Sequence, residues 1–119
     1  MIMKHFKISE FTCKCGCGNN LMDYNFLCMI DNARDIAQVP FKVTSGYRCI
    51  SHNKKINGSS TSSHLKGLAA DIKYSSEYQL VRMIYGLTKA GFTRIGINAT
   101  SKFIHVDSDS SKPDAIFTY

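Results

Sequence analysis

The stretch SSHLKGLAAD, residues 62–71, decides how the rest of the chain is read. Its second half runs on into LAADIKY (68–74), which alternates apolar and polar positions as a strand does. Residues two apart on a strand share a face. Ala69, Asp71 and Lys73 therefore fall together, with Leu68, Ala70 and Ile72 turned toward a core. FIHVD (103–107) repeats the pattern: Phe103, His105 and Asp107 share one face, while Ile104 and Val106 go inward. Each strand thus carries a polar group opposite its apolar residues. His64 sits just before the first strand, and Gly67 allows a sharp approach of the backbone.

Further elements fit around these two strands. Apolar residues at near-helical spacing (Leu27, Ile30, Ile36, Ala37) predict a helix over about 24–38, stopped by Pro40. Ser76 before Glu77 opens a second helix with Leu80, Ile84 and Leu87 on its face and Gly91 at its end. FKVTSG (41–46) and TRIGIN (93–98) read as strands, the latter joined to KFIHVD (102–107) by a turn at Thr100-Ser101. In ISEF (8–11), Ser9 before an acid could cap a short turn. YRCISHNKKINGSSTSS (47–63) reads as a long polar loop, and such loops in small domains usually carry function or are disordered. The C-terminal SDSSKPDAIFTY reads as a polar loop with a short aromatic tail. Helices segregate from strands that can pair antiparallel. The expectation is an α+β fold, a small antiparallel sheet with helices packed on it, in one domain over 1–119.

Composition narrows the partners. Lysine and arginine outnumber acids 15 to 9, a net charge of +6 that attracts polyanions such as an anionic cell wall. The basic residues are scattered and not interleaved with aromatics, which argues against a nucleic-acid module. No apolar run is long enough to cross a bilayer, so no membrane insertion is expected. The start, MIMKHFKISEF, lacks an apolar core and a small-residue cleavage site, so synthesis in the cytoplasm without a signal peptide is expected.

Two imidazoles and a carboxylate are what a catalytic zinc needs, three protein ligands and an open position. The plainer alternative is a pair of surface histidines with a salt-bridged aspartate, which leaves the glycine and alanine spacing without a purpose.

Ser62, His64, Gly67, Ala69 and Asp71 reproduce the S-x-H-x-x-G-x-A-x-D signature of the D-alanyl-D-alanine carboxypeptidase-type zinc peptidases. SGYRC (45–49) with Asn53 resembles that family's S-G-Y-R segment, and FIHVD resembles its closing histidine strand. The similarity spans about Glu10 to Asp107 and is closest to the compact phage and bacterial members, which share the hedgehog/DD-peptidase fold.

The resemblance implies His64, Asp71 and His105 as ligands of one catalytic zinc, and hydrolysis of peptide bonds in peptidoglycan stems. Arg48 matches the family's arginine, to stabilise a developing oxyanion or to hold a substrate carboxylate; a turn arginine bracing the loop is the alternative. Ser62 would bind or orient a ligand near the site. Many relatives place a glutamate three residues before the last ligand, or a histidine two before it. Here those positions are Lys102 and Phe103. Asp107 becomes the candidate base or water-orienting group, or else a buttress for an imidazole. His52 and Tyr47 in the loop are read first as structural, with a contribution to the site as the alternative. The enzyme would meet the wall through phage lysis or as part of a virion. A wall-binding module that keeps the metal but has lost turnover is the competing reading.

Five cysteines, an odd number, disfavour a disulfide framework. Cys13, Cys15 and Cys17, with Cys28 or Cys49, could form a second, structural zinc site. The C-x-C-x-C spacing is not the usual paired one, and reduced, partly buried thiols are the slightly favoured reading.

Overall fold

The computed structural model describes residues 2–119; Met1, counted above in the domain, lies outside them. Helix α1 spans Tyr24–Ala37 and helix α3 spans Glu77–Lys89, each opened by a side-chain cap. Asp23 accepts from the Phe26 N–H at 2.9 Å, and Ser76 from the Gln79 N–H at 3.2 Å. Such caps satisfy N–H groups that the first helical turn leaves without partners. Gln38 ends α1 in the left-handed conformation, two residues before Pro40. The two helices pack on each other, and Phe26, Leu27, Ile30, Met83 and Leu87 sink into the core. Ile30 is fully buried; truncation to alanine there would cost about 2–5 kcal/mol.

Five strands form one sheet: β1 (Lys42–Ser45), β2 (Ala69–Lys73), β3 (Arg94–Asn98), β4 (Phe103–Asp107) and β5 (Ala115–Thr118). Their order is β1-β2-β4-β3-β5, antiparallel except for the parallel β3/β5 pair. The architecture is α+β, as the sequence implies. Ala70, Ile72, Ile95, Ile104 and Val106 join the helices' apolar residues in one core. Period-two alternation then turns Asp71 and His105 to the opposite face. There they are direct partners in the β2/β4 ladder, as are Ala69 and Asp107.

Three segments differ from the sequence reading. The polar loop 47–63 contains a short helix, α2 (Ile50–Lys55), and a 3-10 turn follows at Ser63–Lys66. α2 has no apolar periodicity to announce it, and its cap is a thiol, Cys49 Sγ accepting from the His52 N–H at 3.4 Å. The aromatic tail is strand β5, its backbone satisfied along β3 rather than by water. Near the N-terminus, Ser9 lies inside a 3-10 turn (Ile8–Phe11) that follows Lys7; the Glu10 carboxylate reaches back to the Lys7 N–H at 2.7 Å.

Candidate metal centre

His64 is placed by the turn that precedes β2. Ser62 caps this turn, its Oγ accepting the His64 N–H at 3.3 Å. Gly67 ends it at φ +69°, and a Cβ there would run into the Leu21 carbonyl and Met22. A side chain at 67 would meet both backbone strain and a clash, so the turn that delivers His64 depends on glycine. His64 as a whole is 2 % exposed. Its Nδ1 lies 2.7 Å from the Gly46 carbonyl oxygen, a bond that requires the proton on Nδ1 and leaves the Nε2 lone pair free.

That free Nε2 lies 3.3 Å from Asp71 Oδ1. Across the ladder, His105 Nδ1 lies 3.1 Å from the same oxygen. The two imidazole rings are 5.3 Å apart between centroids. The three donor atoms lie within 4.8 Å of one another. Around zinc with nitrogen and oxygen bonds of about 2.0–2.1 Å, tetrahedral neighbours sit about 3.3 Å apart, so the observed spacing fits that ion.

The partners beyond this trio also suit a cation. His105 Nε2 lies 2.7 Å from Asp107 Oδ2; a proton held there leaves Nδ1 free to ligate. Asp71 Oδ2 accepts from Arg48 Nη2 at 3.4 Å, leaving Oδ1 for a metal. Burial pushes the Asp71 pKa up, but the His105 hydrogen bond and the neighbouring His64 imidazole outweigh it and hold the carboxyl well below the usual range. Burial likewise disfavours the charged form of His105, and the bonds to Asp107 and Asp71 overcome it, so its pKa is raised.

Arg48 is itself held, by Ser45 Oγ on Nε at 3.2 Å and by Asn53 Oδ1 on Nη1 at 3.3 Å. Asp107 is 1 % exposed and lies beyond His105 from the Asp71 side. Its Oδ1 accepts the Asp109 N–H at 3.2 Å. Arg94 Nε approaches its Oδ2 to 3.2 Å as an ion pair, without the alignment of a hydrogen bond.

A cavity of about 330 Å³ opens over His64, Asp71 and His105, bordered by Arg48, Ser62, Phe103, Lys112 and Tyr119. A second hollow of about 320 Å³ touches Arg94, Asp107 and Asp109, and among the described residues the histidine-containing donor group borders the first cavity. Tyr47 and His52 do not border the first cavity. The Tyr47 N–H bonds the Phe11 carbonyl, and the His52 N–H bonds Cys49. Lys102 adopts a left-handed conformation at the mouth of β4, and Phe103 walls the cavity.

Sequence reasoning missed the Gly46 carbonyl, Lys112 and Tyr119. Tyr119 packs edge-on against Phe103 and tilted against Phe117, with ring centroids 5.4 and 5.8 Å away. It also missed Asp109, which is 5 % exposed and binds Ser63, Lys66 and Ser111. Only the β-branched and aromatic residues of AIFT hinted that the tail returns to the sheet. Elsewhere, Cys13, Cys15 and Cys17 converge on Cys49; Cys28, in α1, is not of that group.

Two histidines and a carboxylate around one point, beneath an open cavity, are a set of side chains that could hold a metal ion, of the kind catalytic zinc uses. Residues 4–107 match the family model described as Peptidase M15, and the chain belongs to that family of zinc peptidases of the D-alanyl-D-alanine carboxypeptidase type. No curated protein matches the chain.

Proposed function

We propose that this chain hydrolyses a peptide bond in peptidoglycan stem peptides, as a D,D-carboxypeptidase or endopeptidase, with zinc on His64, Asp71 and His105. The convergence of these donors below an open cavity carries the reading. Zinc bound there supplies Lewis acidity toward a carbonyl and lowers the pKa of a water toward about 7.

The protein's own groups do the rest. His64 and His105 are locked in one orientation each by Gly46 and Asp107. Arg48, with one hydrogen on each nitrogen engaged, keeps a second hydrogen on each Nη for an oxyanion or a substrate carboxylate. The Ser62 hydroxyl, accepting from His64, can still donate to a ligand. Phe103 and Tyr119 give the cavity an apolar wall for small side chains such as those of alanine. The charge of +6 favours an anionic wall, and salt should weaken that attraction. A phage lysis product or a virion component would bring such an enzyme to its substrate.

One observation favours a second reading. Among the described residues bordering the cavity, Asp71 is the only one with a side-chain carboxylate, and Asp107 is engaged behind His105. A metal-bearing wall-binding module with little turnover would look this way. Mass spectrometry of muropeptides after incubation with purified peptidoglycan separates the two. New amino termini or released D-alanine with wild type, abolished by chelator and by His64→Ala, support the enzyme. Wall binding without any new fragment contradicts it.

A further inference from the structure

We propose that Cys13, Cys15, Cys17 and Cys49 form a second metal site, a structural zinc tetrathiolate that fastens the N-terminal loop to the segment carrying Arg48. The site lies apart from the histidine centre, and its occupancy does not depend on turnover.

The sulfur geometry carries the proposal. Cys13 Sγ is 3.5 Å from Cys15 Sγ and 3.8 Å from Cys49 Sγ, and Cys15 and Cys49 are 3.7 Å apart. Cys17 completes the set, all four sulfurs lying within 4.8 Å of one another. Zinc–thiolate bonds of about 2.3 Å place tetrahedral sulfurs about 3.8 Å apart. Disulfides would single out pairs in bonding contact and push the remaining sulfurs away. Here three sulfurs are nearly equidistant, which is what a shared centre produces.

The chain is folded to make this arrangement. The Cys13 N–H bonds the Asn19 carbonyl at 2.8 Å and closes a loop around Cys15 and Cys17. Gly16, at φ +88°, reverses the backbone between them, in a conformation that a side chain would strain. Alternating rather than paired cysteines can therefore reach one point. The Cys49 N–H points to Cys13 Sγ at 3.4 Å and the His52 N–H to Cys49 Sγ at 3.4 Å, so backbone donors already hold two of the sulfurs in place. Cys13 is buried whereas Cys15 and Cys17 are exposed, so an ion can enter from solvent.

Four protein ligands leave no open position, so the site is structural rather than catalytic. Its place suggests what it stabilises. Cys49 follows Arg48 and caps α2, whose Asn53 holds the guanidinium. The Tyr47 N–H bonds the Phe11 carbonyl at 2.9 Å, two residues before Cys13. Metal here ties all of these to one anchor.

Metal content and cobalt substitution test the proposal. Purified without chelator, wild type should carry about two zinc ions per chain, and His64→Ala and the double variant Cys15→Ser/Cys17→Ser about one each. Cobalt-substituted wild type and His64→Ala should both show thiolate-to-cobalt charge transfer in the near ultraviolet, absent from the double variant. One zinc per wild-type chain, no charge-transfer band in cobalt-loaded His64→Ala, a mass showing disulfides, or the red of an iron tetrathiolate would overturn it. Should the double variant not fold, the wild-type and His64→Ala spectra decide alone.

Discussion

Asp71 and His105 face each other directly across the β2/β4 ladder, with Nδ1 of His105 3.1 Å from Oδ1 of Asp71. Backbone pairing thus sets two of the three donors, and only His64 must be delivered by a turn. The spacing of the Asp71 and His105 backbones resists distortion, because separating the two Cα positions means breaking the central ladder of the sheet.

The contact between Asp107 and Nε2 of His105 yields a clean discrimination. If Asp107 orients the imidazole, Asp107→Asn should weaken zinc binding about 10–100-fold, with activity recovering at saturating zinc. A base would instead lose kcat by about 10²–10⁴-fold at unchanged zinc affinity. Zinc titration alongside steady-state kinetics distinguishes them, and the buried position of Asp107 predicts the first outcome.

Zinc affinity should depend on pH through His105. Its pKa in the metal-free protein is raised, so at pH values below that raised pKa zinc must displace a proton. Affinity should climb as pH rises and flatten above it. Asp71, held low, contributes no further step near neutrality. Stability of the metal-free protein runs the other way: the His105 contribution is full below the unfolded pKa of about 6.5 and is lost as pH rises through the folded value. Calorimetry in buffers of different ionisation enthalpy would reveal the released proton. A pH-independent affinity between about 5 and 8 would contradict the arrangement.

Arg48→Lys keeps a charge but loses the fork that Ser45, Asn53 and Asp71 hold in place. A fall of about 10²–10³-fold in kcat/KM is expected, with zinc still bound. Activity close to wild type would assign Arg48 to bracing the turn.

Asp109 ties the segment after β4 to Ser63 and Lys66, beside His64. Burial pushes its pKa up, but bonds from Ser111, Ser63 and Lys66 outweigh this and depress it. A depressed folded pKa stabilises above the unfolded value of about 3.9 and is lost as pH falls through the folded one. Asp109→Ala should lower stability by about 1–3 kcal/mol at neutral pH and less in acid, as read from urea unfolding at several pH values. An equal loss at every pH would contradict the ion-pair role.

The sequence made the two central strands legible because one period-two pattern governs both burial and the site. Asp71 and His105 are polar positions in otherwise apolar runs, and each lands where alternation puts it. α2 escaped because six residues without apolar spacing leave no periodic signal. β5 escaped because its parallel pairing with β3 is a long-range choice that local residues do not encode. Tyr119 and Lys112 were hidden for the same reason: they reach the site only once the chain beyond β4 folds back. The cysteines were misleading in spacing alone. Their convergence depends on a glycine reversal and on Cys49, far away in the chain.

Anomalous diffraction at the zinc edge, from crystals grown with zinc, tests the central claim most directly. A peak within about 2.0–2.2 Å of His64 Nε2, Asp71 Oδ1 and His105 Nδ1 is expected. No peak among those three atoms, with the ion elsewhere in the crystal, would contradict the metal centre and the hydrolysis assigned to it.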